Sequence, residues 1–124
     1  MKKIFLVLLF LNAGYFFAQR TDSLLLALKN HPKEDAEKIK IYNALSAAIM
    51  NFDGAKAKAY ALEAKELSVR LSDDKNLAES QLSFAQACTH TGEFELALRQ
   101  LELAQQLFQK LNDAEGLTRC TMRM

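Results

Sequence analysis

Gly92–Asn112 reads GEFELALRQLELAQQLFQKLN, and its spacing decides the fold. Phe94, Leu101, Leu107 and Leu111 recur with Ala97 and Ala104 at three-, four- and seven-residue intervals, which puts the alanines and leucines on one face of a helix. Leu96 and Leu103 add a second apolar stripe, so this helix is expected to be covered by a further hairpin. Shifted by forty residues, Ala97, Ala104, Leu107, Leu111, Asp113 and Leu117 fall on Ala57, Ala64, Leu67, Leu71, Asp73 and Leu77, and Ala87 falls on Ala47. Self-similarity at that period marks stacked helical hairpins.

Working outward, Thr91-Gly92-Glu93 is a turn behind a helix over about Lys75–His90 that carries Leu77, Leu82, Phe84, Ala85 and Cys88. Ser72-Asp73-Asp74 ends a helix over Ala55–Leu71 and caps the next. In that helix Ala57, Ala61 and Ala64 permit close helix approach, with Lys56, Lys58, Glu63, Lys65, Glu66 and Arg70 directed to water. Asn51-Phe52-Asp53-Gly54 is a turn, because Asn, Asp and Gly tolerate left-handed backbone. Before it, Ile39, Tyr42, Leu45 and Ile49 repeat at helical spacing, with Glu34, Asp35 and Glu37 in a first turn that favours negative charge. Thr21-Asp22-Ser23 offers capping oxygens ahead of Leu24–Leu28, a short helix stopped by Asn30-His31-Pro32 and expected to cap the stack. On the other side, Asn112-Asp113 punctuates again, and a helix begins at Ala114.

The reading is therefore all-α: a helical-hairpin solenoid of about two repeats, 34–73 and 74–113, plus a partial third over 114–124, preceded by a capping helix and loop over 20–33. Composition agrees: 124 residues, 50% apolar, 25% charged, four Gly and one Pro, too few breakers for a loop-rich chain. Lys2 and Lys3 ahead of Ile4–Leu11, and an apolar stretch running on to Ala18, read as an export signal over 1–19. Cleavage near Ala18 or Gln19 and a periplasmic or extracellular product are expected, an uncleaved anchor being the alternative. The apolar run is shorter than the ~20 residues of a spanning helix. Without Lys2 and Lys3 there are 14 basic residues against 15 acidic, which argues against nucleic-acid binding and against a polybasic membrane patch.

Candidate chemistry is sparse. Cys88 and Cys120 lie eight positions out of phase in the repeat frame, ~12 Å of helix rise, so free thiols are expected over a disulfide. His31 and His90 lack the neighbouring ligands of a metal site and are read as solvated. No phosphate loop or nucleophile elbow is present. No cofactor and no catalysis are expected within these residues.

A small residue in the first helix, Gly92-x-Phe94 at the turn, then Ala97 and Ala104 seven apart in the second resemble the tetratricopeptide repeat, over roughly Glu34 to Met124. Departures are Gly54 where the turn aromatic would be, Cys88 in place of an aromatic, and no proline after either second helix. The resemblance implies a concave surface lined by first-helix side chains: Ile39, Tyr42, Asn43, Ser46 and Ile49, then Glu79, Leu82, Ser83, Gln86 and Thr89. It implies a peptide or protein partner, with Tyr42, Asn43, Ser46, Ile49, Leu82, Gln86 and Thr89 as the contacts. Ile39, Tyr42, Ile49 and Leu82 are equally suited to plain packing. Tyr42, Leu82 and Gln86 do not supply the charges with which some members grip a C-terminal carboxylate.

Thr118–Met124 occupies the place of Ala78–Phe84 and makes a poor polar cap, so the chain is read as a fragment or truncated frame, with self-association through an open apolar end as a further expectation. The layout also resembles the extracytoplasmic part of bacterial sensor histidine kinases and related transcription regulators, in which a membrane helix and the output domain would follow.

Overall fold

The structure, a computed structural model, describes residues 18–124, so most of the expected export signal lies outside the described residues. Helix α1 covers 18–29 among them, followed by α2 (Ala36–Ile49), α3 (Gly54–Arg70), α4 (Asp74–His90), α5 (Phe94–Lys110) and α6 (Ala114–Arg123). Thr21-Asp22-Ser23 sits inside α1, with residues 18–20 already helical, so these side chains do not cap it. Similarly α2 starts at Ala36, and Asp35, expected in its first turn, is the N-cap accepting from Lys38 N–H.

The boundaries recur at twenty-residue steps. Asp53, Asp73 and Asp113 are N-caps whose carboxylates accept from the backbone N–H three residues on, at Lys56, Asn76 and Gly116. Glu93 holds the fourth cap position without a side-chain bond to the helix. One residue before three of them, Ser72, Gly92 and Asn112 adopt positive φ (52°, 80° and 55°). At each, two backbone bonds reach back into the preceding helix: Asp73 to Ser68 and Ser72 to Val69, Glu93 to Cys88 and Gly92 to Thr89, Asp113 to Phe108 and Asn112 to Gln109. Each pair is a Schellman stop, which satisfies carbonyls the helix end would otherwise orphan.

Successive helices pack on each other from α2 to α6, and α2 also packs on α4, giving an all-α stack of helical hairpins. Ala57, Ala61 and Ala64 are fully buried along α3, and on α5 Ala97, Leu101 and Ala104 take the same positions forty residues on. The main core joins Ala61 to Leu82, Phe84, Cys88, Leu101, Phe108 and Cys120. Ion pairs repeat the register: Arg70 meets Glu34 at 3.3 Å, and Lys110 meets Asp74 at 3.0 Å, both partners displaced by forty.

The two seams between hairpins differ in chemistry. Where α3 meets α4, Ser68 Oγ donates to the Ala64 carbonyl and lies 3.4 Å from Ser80 Oγ, which donates to the Asn76 carbonyl. Forty residues on, these places hold Phe108, Cys120 and Gly116. The Phe108 ring fills the space where a Gly116 side chain would stand, since a Cβ there would lie 2.3 Å from its Cδ1. Three small polar side chains are thus traded for one large ring facing a glycine. Gly54 has a comparable reason, as a Cβ there would sit 3.2 Å from Thr91 Cγ2 and 3.4 Å from His90 Cβ. The α4–α5 turn occupies the room an aromatic would need.

Candidate functional site

The first helices of the two hairpins, α2 and α4, together with α6, contribute to a groove of about 460 Å³. Ala47, Met50 and Asn51 line it from α2 and the following turn; Ala85, Gln86, Thr89 and His90 from α4; Leu101 from α5; Arg123 from α6. The floor is apolar because Met50 belongs to a buried cluster with Ala57 and Ala87.

Its polar groups are held by one another. His90 Nδ1 donates to the main-chain carbonyl of Gln86 at 3.0 Å, and Nε2 lies 3.1 Å from Asn51 Oδ1, tying α4 to the α2–α3 turn. Both ring nitrogens are engaged, where a merely solvated imidazole was expected. Thr89 Oγ1 donates to the Ala85 carbonyl and remains exposed. The side-chain amide of Gln86 faces the guanidinium of Arg123 on α6.

Of the residues expected to contact a partner, Gln86 and Thr89 line this groove, and the others stand elsewhere. Ser46 is fully buried, donating from Oγ to the Ala57 carbonyl at 2.8 Å, and Ile39 is fully buried against Ala64 and Leu67. Leu82 is core, 3% exposed. None of these three presents a surface. Ile49 packs half-buried beside Met50 and Ala57. Tyr42 pairs with Tyr60, ring centroids 6.3 Å apart, and burial raises its hydroxyl pKa. Asn43 Nδ2 donates to Ser80 Oγ across the hairpin seam at 3.2 Å. Glu79 receives a two-pronged bond from Arg119, Nη1 to Oε2 at 2.9 Å and Nη2 to Oε1 at 2.6 Å. Ser83 is half-buried.

Ala47, Met50, Asn51, Ala85, His90, Leu101 and Arg123 are the lining residues that spacing missed. On α2 the shift is one position, from 46 and 49 to 47 and 50, about 100° around the helix. Its cause is the alanine face of α3: with no side chain beyond Cβ at Ala57 and Ala64, α2 nests close and turns Ile39 and Ser46 inward.

Cys88 and Cys120 are free thiols, both fully buried, and burial pushes both pKa values up, the opposite of a reactive cysteine. His31, expected to be solvated, is half-buried and bonded to Asp35 at 2.7 Å. Among the described residues no group of three His, Cys, Asp or Glu is placed to hold a metal, and no helix is long and apolar enough to cross a membrane. Compared with known proteins, the chain matches no family model, no curated protein and no solved structure.

Proposed function

We propose that this chain is an exported helical-repeat scaffold of the tetratricopeptide-repeat type, binding an extended peptide or protein segment across α2, α4 and α6. The groove carries this reading. It has the size of a ligand cleft, ~300–1,000 Å³, and its lining joins four apolar side chains to an imidazole, two amides, a hydroxyl and a guanidinium. An extended segment uses such a surface through side chains in apolar footing and main-chain groups on the amides and hydroxyl. Helices spaced ~9 Å apart give a three-helix face ~18 Å wide, room for about five extended residues.

The test is amide chemical-shift mapping with a heptapeptide selected on the purified protein. Shifts are expected at Ala47, Asn51, Gln86, Thr89 and His90, with Ala47→Arg, at an exposed position on the groove wall, abolishing binding. Shifts confined to Leu62, Val69 and the rest of the exposed α3 face would refute the assignment.

A further inference from the structure

We infer that His90 sets the hydrogen-bond polarity of this groove at Asn51 and reverses it with pH; the effect on a bound segment rests on the groove reading above. The ring is held at both nitrogens, and the two partners are unlike. Nδ1 lies 3.0 Å from the main-chain carbonyl of Gln86, which can only accept, so Nδ1 carries a proton at every pH at which this bond stands. Nε2 lies 3.1 Å from Asn51 Oδ1, an atom that the amide exchanges for Nδ2 by turning over. The neutral imidazole has a lone pair at Nε2 and takes a hydrogen from Nδ2, which leaves Oδ1 for the groove. The imidazolium has a hydrogen there and gives it to Oδ1, which leaves Nδ2 for the groove. The second proton of His90 therefore decides which end of the Asn51 amide a ligand meets, and Asn51 is part of the lining.

The surroundings leave this choice to the ring. Among the described residues His90 forms no ion pair. The charged groups on the elements that meet there are Asp53 in the α2–α3 turn, Lys56 and Lys58 at the start of α3, Glu93 in the α4–α5 turn and Arg123 on α6. Asp53 caps the Lys56 N–H, Glu93 is bonded to Lys58 and Thr91, and Arg123 faces Gln86. Thr89 is a fixed reference, since its hydroxyl hydrogen goes to the Ala85 carbonyl and its oxygen is left to accept. With the ring neutral, Asn51 and Thr89 both offer acceptors, which suit main-chain N–H groups of an extended segment. In acid Asn51 offers a donor instead, which suits a carbonyl.

Long-range proton–nitrogen correlation spectra of the imidazole in the free protein, taken from about pH 8 down to about pH 5, test this without a ligand. At the upper end the Nδ1–H tautomer is expected, and the side-chain amide resonances of Asn51 should move with the same midpoint as the ring. The Nε2–H tautomer there, or an Asn51 amide indifferent to the ring's titration, overturns the inference. Heptapeptides with blocked ends and no ionisable residue, selected on the wild type at about pH 8, should bind it about fivefold more weakly at about pH 5. Asn51→Ala should bind them equally at both. A pH dependence that survives in Asn51→Ala overturns the inference, as does its absence from the wild type. Failure of every selected peptide to bind defeats the groove reading, while the tautomer and the Asn51 amide still decide the switch.

Discussion

Gly116→Ala sets two effects of opposite sign against each other. By helix propensity alone, alanine inside a helix is favoured over glycine by roughly 1 kcal/mol, so the substitution should stabilise α6. The space says otherwise. A Cβ at 116 would stand 2.3, 2.5 and 2.6 Å from Phe108 Cδ1, Cγ and Cε1, against 3.4–4 Å for ordinary contact. The ring must retreat by about 1 Å, since carbon atoms are at their best near 3.5–4.0 Å. It has nowhere to go: Phe108 is fully buried in a cluster with Leu101, Ala104 and Cys120, and Arg119 lies over its face 5.6 Å from the centroid. Overpacking costs about 1–3 kcal/mol, and contacts this short inside a closed cluster belong at the upper end, about 2–3, so the net effect is a destabilisation of roughly 1–2 kcal/mol. Phe108→Ala alone removes the ring and costs about 3–5 kcal/mol. In the double variant the new methyl meets no ring, so its penalty vanishes and a coupling of at least about 1 kcal/mol should appear. Urea unfolding followed by circular dichroism measures all four corners of the cycle. A neutral or stabilising Gly116→Ala, or strict additivity with Phe108→Ala, would refute the packing account of the second seam.

Three further outcomes are expected. Ser72→Gly relieves a serine at φ 52° and should raise stability by roughly 1 kcal/mol, while Asn112→Gly, replacing a residue that tolerates this conformation, should gain less; an equal loss at both in thermal melts would contradict the Schellman reading. The Glu93 carboxyl is held below its ordinary value, 4.5, first by its bond from Lys58 and then by Thr91, and Lys58 is held above 10.5 by the same pair. The contribution of Glu93 is therefore present above its ordinary value and lost as pH falls through the depressed one, whereas that of Lys58 is complete below 10.5 and lost above its raised one. Glu93→Gln should flatten the acid limb of a stability–pH curve, and an unchanged limb would count against the pair. Finally, the thiols of Cys88 and Cys120 should resist an aromatic disulfide reagent in the native protein and react together on unfolding, and rapid native labelling of either would contradict their burial.

Helix boundaries were legible because their signals are local. Ala55–Leu71, Lys75–His90 and Phe94–Leu111 were expected; Gly54–Arg70, Asp74–His90 and Phe94–Lys110 are found, each fixed by an Asp, Gly or Asn that acts on backbone groups a few residues away. The same chemistry misled at Thr21-Asp22-Ser23, since a capping side chain inside a helix that continues upstream has no free N–H to cap. Of the inner stripe of α4, Gln86 and Thr89 line the groove and Leu82 is core. On α2 the stripe was right and its rotation wrong, because periodicity ranks the faces of one helix and does not say how closely its neighbour approaches. That information sat in Ala57 and Ala64, on a different helix. Arg123 escaped notice because its neighbour in the groove, Gln86, is distant in sequence, although the forty-residue frame places it in register with Ser83 and Asn43 on the first helices.

The turns have a consequence for how such a chain diversifies. Ser72-Asp73, Gly92-Glu93 and Asn112-Asp113 are wholly occupied in stopping one helix and starting the next, and a single inserted residue would throw the following helix out of phase by about 100°. Variation is thereby driven out of the loops, where most folds keep their recognition residues, and onto the exposed faces of rods of fixed length. A new specificity would be written by exchanging side chains such as Ala47, Thr89 and Arg123, or by exchanging whole forty-residue modules at the Asp caps, with the frame left untouched.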